Sequence, residues 1–343
     1  MNWTQLDWPA LDRLRDGFLH GGAASGPYWK TESALASYDL TYGERIAWKW
    51  DAVLRELRLR GWRPPGRGKI LDWGCGSGAA SRRVINHFGA DAFTELLLWD
   101  HEPLAVEFAH QAARQEFPDL PASAITPGFL TGSDSPDLVV ISHVLNELSV
   151  SALAELRALI DRSQAVLWVE SGTHDTSRRL SLERDRLLAD FNVVAPCTHA
   201  HTCPILTPAN ERHWCHFFAA PSGEIFANPD WVKFGQRAGI DLRSLPYCFL
   251  ALERRTPTTP VPVTGLSRII GRPEHFKPYA RFLNCDASGL AELTVPRRTA
   301  PALYKELDRT KAPLVYHWER EGDEVSGGTH FRRDDLPGQT LNA

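Results

Sequence analysis

A run of glycines between a short apolar stretch and a helix-like pattern is the first place where chemistry can be expected. Residues 72–78 read Asp-Trp-Gly-Cys-Gly-Ser-Gly, directly at the end of the predicted strand Lys69–Trp73. Glycines at such a turn let a ligand approach the backbone, and the start of the following helix favours nucleotide-like groups. The spacing Asp-x-Gly-x-Gly-x-Gly differs from the Gly-x-Gly-x-x-Gly of dinucleotide sites.

Two acids favour S-adenosylmethionine as the ligand of this loop. Asp72 would repel a pyrophosphate, but it would attract the ammonium group in the methionine part of the cofactor. Asp100 ends the next predicted strand, where a carboxylate can accept hydrogen bonds from ribose hydroxyls. A tight strand-to-helix turn without a ligand is the alternative. The residues predicted to bind the cofactor are Asp72, Gly74, Gly76, Gly78 and Asp100.

A short segment after a third predicted strand, Leu138–Ser142, carries side chains that could act on a methyl acceptor. The segment contains His143, Asn146 and Glu147. His143 or Glu147 could serve as a general base, and these two are the predicted catalytic residues. The alternative is structural, with His143 capping the strand and Glu147 starting a helix. The Asn/Asp-Pro-Pro-aromatic signature of exocyclic amino methylation is absent from the sequence.

Three cysteines, Cys197, Cys203 and Cys215, lie within nineteen residues, among several histidines. A fourth ligand could come from Cys285, from Cys248 or from a histidine. Four thiolates suit either zinc or an iron–sulfur cluster, and the spacing does not distinguish between them. The alternative is a set of buried cysteines without a metal. Cys248 lies in an apolar strand pattern and is expected in the core.

Strand-like and helix-like patterns alternate along the chain and predict a doubly wound, parallel α/β sheet. We expect a Rossmann-type class I methyltransferase fold with a helical N-terminal extension, a cysteine-rich insertion and a small β-rich C-terminal unit. Residues 256–263, rich in Pro and Thr, read as a linker. The predicted divisions are 1–60 for the extension, 61–255 for the Rossmann domain, 195–216 for the insertion within it, 264–311 for the β-rich unit and 312–343 for a C-terminal tail.

Composition and charge narrow the class of protein. No apolar run approaches the ~20 residues of a membrane helix, and the N-terminus lacks the pattern of a secretory signal. Asp7, Asp12 and Asp16 argue against a mitochondrial transit peptide, so we expect a soluble, cytoplasmic protein. The net charge is −4, but residues 254–311 hold eleven Lys and Arg against five acids. This basic segment could be an anion-binding face or an ordinary solvated surface.

Several of these motifs occur together in one known family. The combination of SHVLNEL, VESGT, APC…CP…WCHF, SRIIGRP and RFLNC resembles the methyltransferase-like (Rsm-type) family that assists assembly of the small ribosomal subunit in mitochondria, with bacterial relatives. The resemblance covers roughly residues 30–310. It implies association with small-subunit rRNA and a [4Fe–4S] cluster, with zinc as the alternative. The cluster ligands that it implies are Cys197, Cys203, Cys215 and Cys285.

The resemblance and the glycine loop together imply an S-adenosylmethionine-dependent protein that acts on small-subunit rRNA or in small-subunit assembly. If the protein is an enzyme, methyl transfer is a displacement at the sulfonium carbon, and positioning supplies most of the catalysis. Several members of the family do not need methylation for their role, so a non-catalytic assembly factor is one alternative. A small-molecule methyltransferase with a zinc site is another.

The basic segment supplies candidate contacts to RNA. Lys and Arg side chains could follow a phosphate backbone, while aromatic side chains could stack on unpaired bases. For Phe282 a position in the core is the interpretation that we favour. The candidates are Arg268, Arg272, Lys277 and Arg281 for phosphates, and Phe276, Tyr279 and Phe282 for bases.

Overall fold

The chain divides into two units, each of which holds one part of the predicted chemistry. The first contains residues 1–54, 63–170 and 219–245, and the second contains residues 55–62, 171–218 and 246–343. The glycine loop belongs to the first unit and the four candidate cysteine ligands to the second. The computed structural model describes residues 2–20, 29–256, 265–308 and 314–331.

Three helices precede the first strand: α1 (Trp8–His20), α2 (Glu32–Tyr38) and α3 (Glu44–Leu59). A π-helical turn, Asp39–Gly43, joins α2 to α3. The sequence predicted a helical extension over residues 1–60, and this π turn lies within it. A π turn adds a residue to the helical repeat, so it rotates the face that α3 presents relative to α2.

A parallel sheet forms the body of the first unit. Its strands are β1 (Gly68–Trp73), β2 (Phe93–Trp99), β3 (Ala122–Ala124), β4 (Leu138–Ser142) and β5 (Ala165–Ser171). They lie in the order β3-β2-β1-β4-β5, with every neighbouring pair parallel. The central strands are continuous apolar runs, as expected when both faces of a sheet are covered.

Helices follow these strands in turn: α4 (Ala79–Phe88), α5 (Pro103–Glu116), α6 (Pro127–Thr131) and α7 (Val150–Ile160). Alternation of helices with parallel strands confirms the predicted Rossmann-type α/β fold. The strand order reverses between β1 and β4, and ligands of this fold bind outside the carboxyl ends of the strands at such a point. The fold therefore directs attention to the loops that follow β1, β2 and β4.

Two further helices, α9 (Glu224–Ala227) and α10 (Pro229–Ala238), complete the first unit. Trp231 of α10 lies with its ring centroid 4.9 Å from that of Trp3 and 5.0 Å from that of Trp48. These aromatic contacts join α10 to the N-terminal helices. None of the helices in the described part of the chain is both long enough and apolar enough to span a membrane.

The second unit begins its own pairing with α8 (His174–Leu187) and the strands β6 (Phe191–Ala195), β7 (Phe217–Ala219) and β8 (Leu245–Arg254). Strand β8 is antiparallel to β6 and also pairs with β7. The residues between β6 and β7 contain three of the four candidate cysteine ligands, together with two short 3₁₀ turns. We call residues 196–216 the cysteine-rich segment.

Five strands then close into a barrel. They are β9 (Ser267–His275), β10 (Tyr279–Asp286), β11 (Gly289–Pro296), β12 (Val315–Glu321) and β13 (Glu324–His330), with α11 (Pro301–Leu307) between β11 and β12 in the chain. The closed order is β10-β11-β13-β12-β9. Strands β11 and β13 are parallel, and the other neighbours are antiparallel. Strands β12 and β13 lie in the stretch that the sequence analysis assigned to a tail.

The barrel interior is apolar and is filled by alternate residues of its strands. Phe282 is 2% exposed and lies in this core, together with Ile269, Leu293 and Tyr316. Phe282 is therefore unable to stack on a base, in agreement with the interpretation that we favoured. The Pro/Thr linker, apart from Thr256, and the last twelve residues lie outside the described residues.

Arg268 corrects another expectation, because it is buried rather than available to a phosphate. Its guanidinium donates two hydrogen bonds to the Glu56 carboxylate, one of them at 2.8 Å, and a third to the Pro196 carbonyl oxygen at 3.2 Å. It also lies 4.0 Å from the ring centroid of Phe217. Only 2% of its side chain is exposed. The residue faces outward from the barrel, but the cysteine-rich segment and the end of α3 cover it.

Glu56 also binds a second arginine. Arg60, directly after the end of α3, donates to Glu56 Oε1 at 3.0 Å and to the carbonyl oxygens of Val194 and Pro196. Burial by itself would raise the pKa of Glu56, but Arg268 and Arg60 outweigh it and hold this pKa below its usual value. The carboxylate is thus ionised and shared between two guanidinium groups, of which that of Arg268 is fully buried.

We expect the substitution Arg268→Ala to lower the free energy of unfolding by about 3–5 kcal/mol, because the Glu56 carboxylate loses one of the two arginines that balance its charge. Urea denaturation, followed by tryptophan fluorescence, measures this difference. Arg58→Ala, at an exposed position on α3 near Glu56, is the control and should change the value by less than about 0.5 kcal/mol. Equal midpoints for the two variants would contradict the role assigned to the Glu56 pair.

Candidate functional site

The glycine loop after β1 has a backbone that only glycine adopts easily. Gly74, Gly76 and Gly78 have φ values of +73°, +51° and +75°. A Cβ atom on Gly74 would lie 2.7 Å from Cγ1 of Val144, so this glycine is needed for packing against the loop after β4. A Cβ atom on Gly76 would meet nothing within 4 Å. Gly76 therefore presents bare backbone to open space, as a ligand-binding loop requires.

Asp72, at the end of β1, is fully buried and only partly satisfied. Its Oδ2 atom accepts hydrogen bonds from the hydroxyl of Ser81 at 2.5 Å and from the Ser81 backbone N–H at 3.3 Å. Its Oδ1 atom has no hydrogen-bond partner within the described residues. Burial raises the pKa of Asp72 to about 7. A cationic group of a ligand would satisfy Oδ1 and stabilise the ionised carboxylate.

Asp100 holds the glycine loop at the end of β2. Its Oδ2 atom accepts from the Gly76 backbone N–H at 2.9 Å, and Oδ1 accepts from the Glu102 N–H at 3.0 Å. The hydrogen bond between His101 and Asp100 raises the pKa of His101. Each carboxylate oxygen has a second lone pair, so Asp100 can position the loop and still accept from a ligand hydroxyl.

His143 lies directly after β4 and adopts a left-handed backbone, with φ of +58°. A non-glycine residue in this region is strained, and such residues concentrate at functional sites. The Nε2 atom of His143 lies 3.0 Å from Nζ of Lys49, on α3. Burial, with the charges of Lys49 and Arg45, lowers the pKa of His143 well below its usual value. The imidazole is therefore neutral, and its Nε2 lone pair accepts from the lysine.

Glu170 is a residue of this site that the sequence analysis missed. Its buried Oε1 atom accepts hydrogen bonds from the backbone N–H groups of Val144 and Leu145, at 3.1 and 3.0 Å, and from Trp168 Nε1 at 2.8 Å. Burial raises the pKa of Glu170 to about 7. The carboxylate fixes the loop that carries His143 and Glu147. An acid at the end of the apolar pattern AVLWVE, beside β4, was the available signal.

Tyr38, at the end of α2, is a second missed residue. It is half-buried, and its pKa is raised by burial and then by the charges of Glu147, Asp39 and Asp100. These electrostatic effects require Tyr38 to lie near both Asp100 and Glu147. The N-terminal helices thus bring an aromatic ring to the carboxyl edge of the sheet, beside the residues that follow β2 and β4.

The four candidate cysteine ligands come together in the second unit. Burial, followed by the neighbouring Cys197, Cys203 and Cys285, raises the pKa of Cys215 well above its usual value. Burial, followed by Cys197, Cys203 and Asp286, raises the pKa of Cys285 in the same way, and burial raises the pKa of Cys203 to about 11. Cys248 is buried elsewhere and donates to the carbonyl oxygen of Ser171 at 3.4 Å. We call the first four residues the cysteine group.

Buried polar side chains fix the backbone around the cysteine group. Arg184, on α8, donates to the carbonyl oxygens of His199 and His201 at 2.8 and 2.5 Å. Asp185 accepts from the Cys203 backbone N–H at 2.9 Å. His199 Nε2 lies 3.6 Å from Sγ of Cys285, and burial lowers the pKa of His199 to about 4. The group therefore has a neutral histidine and a buried arginine beside it.

The described residues contain no compact metal site. Within the described residues, no group of three or more His, Cys, Asp or Glu side chains is arranged to hold a single metal ion. Cys197 and Cys203 influence the pKa values of Cys215 and Cys285, but the four thiols do not form such a group. A tetrahedral zinc ion would need its donors about 2.0–2.3 Å from one centre.

Comparison with known proteins shows the family. Residues 52–306, more than half of the chain, match the family model described as mitochondrial small ribosomal subunit Rsm22, and the chain belongs to this family. The resemblance stated from the motifs is thereby confirmed. A search among curated proteins found no match.

Solved structures with similar folds include methyltransferases. PH1948 from Pyrococcus horikoshii, proposed to be an RNA methyltransferase, has 9% identity and a TM-score of 0.39, with 62% of this chain and 84% of that chain covered. An S-adenosylmethionine-dependent methyltransferase from Geobacter sulfurreducens, in complex with S-adenosyl-L-homocysteine, has 14% identity and a TM-score of 0.35, with 60% and 90% covered. TrmK from M. capricolum has 7% identity and a TM-score of 0.34, with 59% and 68% covered.

The partly satisfied Asp72 predicts a pH dependence of binding for S-adenosylmethionine, the cofactor that the sequence favours. The free carboxyl group has a pKa of about 7, and the cationic ligand binds its ionised form. Affinity should therefore rise with pH, by about fivefold between pH 6 and pH 7, where the ligand ammonium remains charged. Isothermal titration calorimetry across this range measures the effect.

Two variants serve as controls for this titration. Asp72→Asn cannot ionise, so its binding should be weaker and independent of pH between 6 and 7. Asp100→Ala should weaken binding about ten- to a hundredfold while it retains the pH dependence, because Asp72 is unchanged. An unchanged pH profile in Asp72→Asn would show that another group titrates.

Proposed function

We propose that this member of the Rsm22 family binds S-adenosylmethionine and acts on small-subunit rRNA or in assembly of the small ribosomal subunit. Family membership supports the ribosomal part of the proposal. The observation that carries the cofactor part is the unsatisfied, buried Oδ1 atom of Asp72, next to the open backbone of Gly76. An anionic acceptor beside a glycine loop suits a ligand that combines an ammonium group with a nucleoside.

The residues around this site have distinct tasks in the proposed methyl transfer. The bound cofactor supplies the methyl group on a sulfonium, and Asp72 and Asp100 bind and orient it. Glu170 fixes the loop after β4, at the edge where a methyl acceptor would approach. Glu147 stays the proposed general base of this loop, since the Nε2 lone pair of His143 accepts from Lys49.

A non-catalytic assembly factor is the second candidate, and the same histidine favours it. Of the two predicted catalytic residues, His143 is neutral. Its Nε2 atom already accepts a hydrogen bond from the ammonium group of Lys49. Such a loop can be structural, with the cofactor stabilising the fold. A small-molecule methyltransferase is a third candidate, and the absence of any RNA association by the purified protein would favour it.

Methyl incorporation distinguishes an enzyme from an assembly factor. If the protein is an enzyme, immature small subunits should accept tritiated methyl groups from labelled S-adenosylmethionine, and Glu147→Gln should reduce the rate at least tenfold, because a positioned base contributes at least about a hundredfold. His143→Gln, which can still accept from Lys49, is the matched control and should retain most of the activity.

Absence of incorporation would instead support the assembly factor, provided that cells lacking the protein accumulate immature small subunits. In that case a Glu147→Gln copy should rescue assembly fully. Normal subunits in such cells, together with no incorporation into rRNA, would contradict both candidates.

We also propose that the cysteine group holds a [4Fe–4S] cluster. Its four thiols are mutually close, and buried arginines and Asp185 fix the backbone beside them. In a cubane cluster each thiolate binds a different iron, so the sulfurs need not converge on one atom as they do around zinc. Because the barrel strand β10 contributes Cys285 and the cysteine-rich segment the other three, the cluster would join these parts of the second unit.

Metal analysis of protein purified without oxygen tests this proposal. We expect about four iron and four sulfide per chain, and loss of most iron in Cys203→Ser, since one thiolate in four is removed. Cys248→Ser is the control, because this buried thiol lies outside the cysteine group, and it should retain its iron. Stoichiometric zinc without sulfide would contradict the cluster and support the alternative, a zinc site.

The remaining expectations on location and partners stay predictions. The sequence favoured a cytoplasmic protein, while the family model carries a mitochondrial description. Small-subunit rRNA, or the assembling small subunit, is the proposed partner.

A further inference from the structure

The order in which the barrel strands of the second unit pair identifies a known type of fold. Counted from β9, its strands close in the order first, second, third, fifth, fourth, with a parallel pair only between the third and the fifth. The helix α11 lies between the third and fourth strands in the chain. This is the connectivity of the OB fold, a five-stranded barrel that binds oligonucleotides or oligosaccharides on its second and third strands and adjacent loops.

Part of that usual binding face is covered by the protein itself. Leu283 and Cys285 on β10 and Leu290 on β11 face outward from the barrel, and all three are half-buried. Cys285 belongs to the cysteine group, and β11 contacts the short turn Pro204–Leu206. A ligand is therefore restricted to the other end of these strands, where β9 leads into β10.

Aromatic rings and arginines are exposed at that end. Phe276, which is 39% exposed, packs against Tyr279 with ring centroids 5.0 Å apart. The guanidinium of Arg281 lies 5.2 Å from the Phe276 ring. Arg281 is held by Glu274 and Glu292, so it orients the ring rather than neutralising a phosphate.

A second group of aromatic rings, arranged in a row, lies beside the strand β9. Trp214 stacks on His216, with centroids 4.6 Å apart and an angle of 18°, and His216 meets Phe218 edge-to-face at 5.4 Å. The row ends at Arg272 of β9, whose guanidinium lies 3.9 Å from the Phe218 ring. Because Arg272 is exposed, its guanidinium plane extends the row towards solvent.

The row is attached to β9 through a glycine. Gly271 donates its backbone N–H to the His216 carbonyl oxygen at 2.8 Å, and a Cβ atom on Gly271 would crowd the His216 ring at 3.3 Å. The alternate residues Cys215 and Phe217 contact the cysteine group and Arg268 instead. The three rings thus share one side of the segment, and all three are half-buried rather than enclosed.

The charge around these rings suits a polyanion. Arg272, Lys277, Arg297 and Arg298 have no carboxylate partner within the described residues. The backbone N–H of Arg297 donates to the carbonyl oxygen of Pro278, in the loop between β9 and β10. We call the rings and these cations the stacking surface. Its members are Trp214, His216, Phe218, Phe276 and Tyr279 with Arg272, Lys277, Arg297 and Arg298.

We propose that the stacking surface binds single-stranded RNA, with unpaired bases stacked on the Arg272–Phe218 and Phe276–Tyr279 pairs and phosphates near the four cations. OB folds bind single strands through such aromatic platforms inside a basic groove, with little preference for sequence. This inference deepens the RNA-binding part of the proposed function and rests on it. A duplex has no unstacked bases, so it is bound through its phosphates alone.

Fluorescence anisotropy of the full chain, purified without oxygen, tests the proposal with a labelled ten-nucleotide uridine strand and a hairpin duplex of equal charge. We expect the single strand to bind at least tenfold more tightly. Phe276→Ala should raise its Kd about five- to a hundredfold, the range for loss of one base–aromatic stack. Arg58→Ala, which removes an exposed charge from α3, should change the Kd by less than about twofold.

Arg272→Lys separates stacking from charge. It keeps the cation but loses the planar guanidinium, so the Kd should rise while its salt dependence is retained. Equal binding of strand and hairpin, or wild-type affinity in both Phe276→Ala and Arg272→Lys, would overturn the stacking surface even if the protein binds small-subunit rRNA. If the wild type binds neither oligonucleotide nor small-subunit rRNA, the RNA-binding part of the proposed function fails with it.

Discussion

The second unit depends on the hydrogen-bonded ion pairs that the carboxylate of Glu56 forms. The carboxylate accepts from Arg268 of the barrel and from Arg60 just after α3, and both arginines also donate to the Pro196 carbonyl oxygen, next to Cys197. One ionised oxygen pair thus joins a helix end, a barrel strand and the start of the cysteine-rich segment. A buried ion pair contributes little net stability, but loss of one member is costly. The arrangement therefore specifies which surfaces meet, and the cysteine group forms where they meet.

The first unit uses buried carboxylates differently, as acceptors for loop backbone. Asp100 accepts from Gly76 and Glu102, and Glu170 accepts from Val144 and Leu145. Loops at the carboxyl edge of a parallel sheet cannot pair with neighbouring strands, so their N–H groups need other partners. Two acids at strand ends supply them. Asp72 differs because its Oδ1 atom has no hydrogen-bond partner within the described residues, and this contrast supports the contact that we propose between Asp72 and the cofactor.

The sequence predicted what depends on local periodicity and missed what depends on distant packing. The strand β4 has the predicted bounds, because its apolar run determines them locally. Strands β12 and β13 were missed, since they are short, polar and stabilised by pairing with β9 and β11. Arg268 was a candidate contact to phosphate because it lies in the basic segment, and only its tertiary partner Glu56 explains its burial. Glu170 escaped notice for a similar reason, as its partners lie 25 and 26 residues earlier.

The segment Trp214–Phe218 shows how one short stretch meets two requirements at once. The rings of Trp214, His216 and Phe218 belong to the stacking surface. The residues between them, Cys215 and Phe217, face the cysteine group and Arg268. Extended backbone has a period of two, so a slip of one residue would exchange the two sides. The slip would place a thiol among the rings and bury Trp214 and His216 near three other cysteines. Correct register therefore depends on fixed neighbours, and the hydrogen bond from Gly271 to His216 supplies one, which explains why β9 needs a glycine there.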